Sequence, residues 1–143
     1  DWSPDGRYMY YVDTPSGILW RFDYNLSSGS ISNRMPLLDY RQEPGVFDGL
    51  TVDAEGNLWV AHWGGFQVSG WNPDTREKIA EIRLPVPNVS CCAFGGKDRR
   101  TLFITTSVGR DKSIALRYPL SGAIFRARMD CPGMPCNCFR IKQ

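Results

Sequence analysis

The chain has one histidine in 143 residues, no long apolar run and no stripe of a single charge. Each shortage excludes something. No segment approaches the ~18 consecutive apolar residues of a membrane-crossing helix, so no membrane is expected as a partner. With 17 Lys+Arg against 15 Asp+Glu the net charge is +2, and Arg99-Arg100 is the one local basic pair of note. A nucleic-acid surface needs a basic patch or stripe, so nucleic acid is excluded too. No histidine or acid stands at a motif spacing from Ser90, which excludes a serine nucleophile. The five cysteines are odd in number, which argues against a fully paired disulfide framework. Cys131, Cys136 and Cys138 lie in a Pro/Gly-rich tail and, with one histidine, fall short of a four-ligand zinc site. Cys91-Cys92 lies in an apolar run and reads as a small buried hydrophobe plus a neighbour. This usage points to a reducing compartment, and the cytoplasm is the expected location. Asp1 is not a natural start, so a targeting segment cannot be judged from these residues. Apolar recurrence at three-to-four-residue spacing is nowhere sustained, so no long helix is expected.

Aromatic residues, by contrast, make up 13% of the chain, and 14 Gly and 10 Pro are spread along it. That is the composition of many short strands joined by many turns. A turn followed by an aromatic strand occurs three times. The copies are Asp5-Gly6-Arg7-Tyr8-Met9-Tyr10-Tyr11-Val12-Asp13, Glu55-Gly56-Asn57-Leu58-Trp59-Val60-Ala61-His62 and Gly96-Lys97-Asp98-Arg99-Arg100-Thr101-Leu102-Phe103-Ile104-Thr105-Thr106. With Tyr10, Trp59 and Phe103 as equivalents, the copies are 49 and 44 residues apart. A strand-type repeat of that period points to β-propeller blades. Closed propellers have about four to eight blades, so about three blades read as part of a larger ring. The fold class is all-β, a partial β-propeller.

Turn residues divide the chain into one partial domain, 1–143, with blades near 1–40, 46–86 and 87–130 and a tail at 131–143. Predicted strands are 8–13, 18–24 and 31–38, then 49–52, 58–63, 66–72 and 78–84, then 89–94, 102–106 and 123–128. The first blade lacks its innermost strand and the last lacks a fourth. Residues 107–121 form a long polar insert. Leu58, Trp59, Val60 and Phe103 are expected between blades, because second strands pack on both faces.

Asp48-Gly49-Leu50 stands where a loop enters the innermost strand of the complete blade. An aspartate there would aim its carboxylate into the axial channel, a position suited to a hard cation held by oxygen ligands, such as Ca²⁺ or Mg²⁺. The same residues read equally well as an Asp-Gly turn. His62, at a strand end, reads more readily as a packed residue than as a ligand. Asn25-Leu26-Ser27 and Asn88-Val89-Ser90 match the N-glycosylation pattern, which matters only in a secreted protein.

The stretch Asp48-Gly49-Leu50-Thr51-Val52-Asp53-Ala54-Glu55-Gly56-Asn57-Leu58-Trp59-Val60-Ala61 resembles the signature of the SMP-30/gluconolactonase/LRE (regucalcin-like) family. Trp2-Ser3-Pro4-Asp5-Gly6, Phe22-Asp23-Tyr24 with Gly29-Ser30-Ile31, Ser90-Cys91-Cys92-Ala93-Phe94-Gly95-Gly96 and Tyr118-Pro119-Leu120-Ser121-Gly122 are similar to it in the same order. The tail after Asp130 is outside the resemblance. The resemblance implies a six-bladed propeller with one axial divalent cation, Ca²⁺ or Zn²⁺, with Mg²⁺ or Mn²⁺ as further options. It also implies hydrolysis of a small-molecule sugar lactone such as gluconolactone. Asp48 matches the family's aspartate ligand and is the one candidate here for metal binding and catalysis. The family's Asn and Glu ligands and its substrate-contacting Arg, Asn and Glu fall before Asp1, in an N-terminal half that would be this chain's missing partner. Phe47 stands where the family usually has proline. The chain alone is therefore expected to be inactive. The alternatives are a non-catalytic calcium-binding regulatory propeller and a metal-free scaffold propeller.

Overall fold

A computed structural model describes residues 1–111 and 113–136. It contains three antiparallel sheets in chain order. The first holds β1 (Tyr8–Asp13), β2 (Ile18–Asn25) and β3 (Ser30–Asp39). The second holds β4 (Val46–Val52), β5 (Leu58–Trp63), β6 (Gln67–Trp71) and β7 (Lys78–Arg83). The third holds β8 (Val89–Gly95), β9 (Thr101–Thr106) and β10 (Ile124–Arg128). Each is a meander in which sequence neighbours pair. As expected, the first sheet has no full strand inside β1, only the bridge Trp2↔Met9. The third ends at β10 among the described residues.

The repeat is in register. Val52 pairs with Leu58 and Phe94 with Leu102, and Trp2 bridges Met9 in the same way. Tyr10, Trp59 and Phe103 each follow that pair, so they are equivalent in space as well as in sequence. Alternation along a strand then sends successive side chains to opposite faces. Tyr10 packs forward against the second sheet, in a core with Leu19, Leu38, Phe47, Leu58 and Val60. Trp59 packs forward against the third, in a core with Val68, Val86, Cys92, Leu102 and Ile104. Leu58 and Val60 are fully buried and Trp59 nearly so. Burying each such side chain stabilises the stack by about 1.5–3 kcal/mol.

Phe103 departs from the expectation. It is 41% exposed because its forward face has no sheet to meet among the described residues, whereas its neighbours Leu102 and Ile104 face back into the core. Two smaller differences follow from local chemistry. β4 begins at Val46, not at Gly49, because Val46 and Phe47 pair with Trp63 and His62 across the proline-glycine entry. The polar insert carries a one-turn helix, α1 (Ser113–Arg117), with an Asp111 side chain accepting from the Ser113 N–H at 2.9 Å. Tyr118, just beyond it, meets Phe66 edge-on at 5.3 Å.

Asp53 closes the turn into β5. Its Oδ1 accepts the N–H groups of Glu55 at 3.0 Å and Asn57 at 2.9 Å. Its Oδ2 accepts Asn57 Nδ2 at 3.1 Å and Trp59 Nε1 at 2.9 Å. Beyond β10, Ala54 N–H donates to Pro132 O and Gly133 N–H to Arg99 O, each at 2.8 Å, so residues 131–133 stitch the second sheet to the third. This crossing lies at the end of β4 opposite Asp48.

Candidate functional site

Asp48 sits on an irregularity that the sequence spacing creates. Phe47 pairs with His62 and Leu50 with Val60, so Asp48 and Gly49 together face the single residue Ala61. A β-bulge of this kind re-aims a side chain out of the ordinary alternation, and bulges concentrate next to functional sites. β4 is the edge of its sheet, so Asp48 projects from the innermost strand. The residue is half-buried, and burial pushes its carboxyl pKa above the ordinary aspartate value. No basic partner accompanies that shift.

β8 repeats the device. Val89 pairs with Thr106 and Cys91 with Thr105, which leaves Ser90 as the extra residue. Its hydroxyl lies 2.9 Å from Thr105 Oγ1. The two inner strands come close together at Gly49. A Cβ there would stand 2.7 Å from Cys91 Cβ and 2.9 Å from Cys91 Cα, so only glycine fits.

Behind the bulge lies a buried polar cluster that sequence reasoning passed over. His62 is fully buried; its Nε2 lies 2.7 Å from Ser69 Oγ and its Nδ1 2.9 Å from Pro44 O. Trp71 Nε1 donates to Ser69 Oγ at 2.6 Å. The ring also meets Phe47 edge-on at 4.6 Å. Burial holds the His62 pKa below the ordinary imidazole value, against the Pro44 carbonyl and the charge of Glu43, which raise it. His62 is thus a packed residue whose two ring nitrogens both have partners within the fold. The signal in the sequence was faint: polar Gln67 and Ser69 on a strand that is otherwise apolar.

The donor set for a cation is small. Among the described residues no three His, Cys, Asp or Glu side chains gather as a metal site. Asp48 offers a hard cation one carboxylate, which fits such an ion in kind but not in number. Two surface cavities, of about 620 and 340 Å³, lie away from Asp48; the larger is at the far end of β4, between Asp1, Trp2, Phe94 and Met134. Cys131 and Cys136 are free thiols, and Cys138 lies outside the described residues. Of the two glycosylation patterns, Asn25 is exposed on a hairpin, whereas Asn88 is 7% exposed and out of reach of an enzyme.

Residues 1–108 match the model of the SMP-30/Gluconolactonase/LRE-like region. Human regucalcin is 39% identical over 127 residues, which is 88% of this chain and 42% of that protein. The calcium-binding protein regucalcin from Agrobacterium tumefaciens superposes with a TM-score of 0.90 at 29% identity, covering 98% of this chain and 48% of that one. A gluconolactonase from Xanthomonas campestris superposes at 0.60 and 28% identity, over 72% of this chain and 32% of that one. The chain spans less than half the length of the relatives it matches. With the family model covering most of the chain and the sheets stacked as blades, the chain belongs to the SMP-30/gluconolactonase/LRE-like family.

Proposed function

We propose that this chain is the C-terminal half of a divalent-metal-dependent sugar-lactone hydrolase, and that Asp48 is its contribution to the catalytic centre. The observation that carries the reading is the half-buried Asp48 carboxylate, carried on a bulge of the edge strand β4 in a regucalcin-like blade. A bound Ca²⁺, Zn²⁺, Mg²⁺ or Mn²⁺ would supply Lewis-acid polarisation of the lactone carbonyl. Asp48 would hold such an ion through one oxygen, and the hard carboxylate favours the oxygen-seeking cations of that group. Its second oxygen would then be available to accept a proton from water as a general base.

One carboxylate cannot satisfy the six to eight oxygen ligands that Ca²⁺ prefers. The remaining donors, and the groups that grip the lactone, therefore come from the N-terminal half of the ring. The second reading is a non-catalytic calcium-binding propeller, favoured by the relative that is named a calcium-binding protein. Gluconolactone hydrolysis by the full-length protein, with and without chelator and with Asp48→Ala, decides between them. Chelator-sensitive hydrolysis that Asp48→Ala abolishes supports the enzyme. Calcium binding without hydrolysis supports the second reading. Neither binding nor hydrolysis would leave a scaffold, and hydrolysis untouched by Asp48→Ala would remove Asp48 from the mechanism.

A further inference from the structure

We infer that His62 is a positioning residue for Asp48: its ring anchors segment 44–47, the stretch of chain from which the Asp48 bulge springs. The inference deepens the proposed function and rests on it for the identity of the site. The geometry is a clamp with three jaws. His62 Nδ1 lies 2.9 Å from Pro44 O, at the start of the segment. The ring edge meets Phe47, the residue before Asp48, at 4.6 Å, and Tyr40 stacks on that same Phe47 ring at 3.9 Å. From the first sheet, Thr14 Oγ1 donates to Phe47 O at 2.8 Å. The turn after β5 closes the remaining side. A Cβ on Gly65 would collide with Pro44 O and stand 2.6 Å from His62 Cβ.

The proton on the ring follows from its partners. A carbonyl only accepts, so Nδ1 carries the hydrogen and donates it to Pro44 O. Nε2 is then an acceptor and takes the Ser69 hydroxyl, which in turn accepts from Trp71 Nε1. The Gln67 amide lies 3.1 Å from Nδ1 and must turn its oxygen toward that N–H, a half-turn of the amide. One tautomer thus serves the whole cluster, and the bond it makes to segment 44–47 is a donated N–H. Groups that hydrogen-bond a ligand directly are worth roughly 10–100-fold in metal affinity, and His62, which acts one step further out through segment 44–47, takes the lower end of that range.

Two substitutions separate this role from simple packing. The Nδ2 of an asparagine occupies nearly the place of imidazole Nδ1, whereas the amide of a glutamine reaches the place of Nε2. His62→Asn keeps a donor to Pro44 O; His62→Gln keeps only the contact with Ser69. Both lose the ring and both lower thermal stability. In the full-length protein, calorimetric titration with Ca²⁺ should show roughly 10-fold weaker binding for His62→Gln and near wild-type binding for His62→Asn. Hydrogen exchange at the amides of residues 46–50 should quicken in the Gln variant and not in the Asn variant. Equal behaviour of the two variants in both measurements overturns the inference. If the wild-type protein takes no Ca²⁺, the metal reading fails, and the exchange measurement alone still decides whether His62 holds the bulge.

Discussion

Asp53→Asn is the most discriminating single change for the fold, because it removes charge and acceptors while keeping shape. Asp53 is 1% exposed and accepts four hydrogen bonds, two on each oxygen. An asparagine must turn an NH₂ toward one of those donor pairs. If it faces the backbone, the N–H groups of Glu55 and Asn57 are both orphaned. If it faces Trp59 and Asn57, the Asn57 amide can turn over and accept, and only the Trp59 indole N–H is left unpaired. The second arrangement is the better one. Leaving one buried donor unpaired costs about 1–3 kcal/mol. In the full-length protein, urea unfolding followed by far-UV circular dichroism should show that loss with an unchanged denaturant slope. Trp59→Phe removes the orphaned donor, so Asp53→Asn in that background should be close to neutral. The difference between the two backgrounds is the coupling of Asp53 to Trp59. A single variant within ~0.5 kcal/mol of wild type, or an equal loss in both backgrounds, would refute the argument.

Asp48 should behave in the opposite sense. Its folded pKa is raised by burial, so the fold favours the neutral acid; that advantage is present below the unfolded value of 3.8 and is lost as pH rises through the folded pKa. Asp48→Asn should therefore be at least as stable as wild type near neutral pH and indistinguishable from it in acid, and a variant less stable at neutrality would contradict this. Gly49→Ala forces β4 away from the Cys91 backbone and should lower stability by about 1–3 kcal/mol in denaturant titration. Cys91→Gly should recover only part of that loss, since Cys91 Cα itself stands 2.9 Å from the added Cβ; full recovery would place the clash in the side chain alone. These 143 residues expressed alone expose Tyr11, Phe103 and Ile124 on sheet faces that no other sheet covers among the described residues. Sedimentation should show association, with no gluconolactone hydrolysis, until the N-terminal half is supplied; a monomer with chelator-sensitive activity would refute the half-ring reading.

What the sequence made legible was whatever a local period or a local turn controls. The aromatic repeat located three blades because each copy is one turn plus one strand, and the structure puts Tyr10, Trp59 and Phe103 at equivalent places. The same reasoning missed the exposure of Phe103, since burial depends on which sheet stands in front, and periodicity within a strand carries no such information. Asp48 was legible as a residue at the mouth of an inner strand. The bulge that re-aims it was not, because a bulge is a difference in count between two paired strands and neither strand shows it alone.

The His62 cluster marks the deeper limit. A lone histidine beside Trp63 looks like packing, and packed it is, at 0% exposed. Its consequence lies in a carbonyl 18 residues earlier in the chain, at Pro44. Nothing in the spacing from Pro44 to His62 announces that contact. It follows only after Phe47 pairs with His62 and the Gly64-Gly65 turn folds back over the entry to β4. Of the polar residues opposite, Ser69 satisfies the ring nitrogen that faces away from the loop, and Gln67 lies beside the one that holds it. Polar side chains persist in this all-buried strand because apolar replacements would leave Nε2 and Trp71 Nε1 without partners. On the proposed reading, the placement of Asp48 is set from the neighbouring strands β5 and β6, by His62 and the groups that hold its ring.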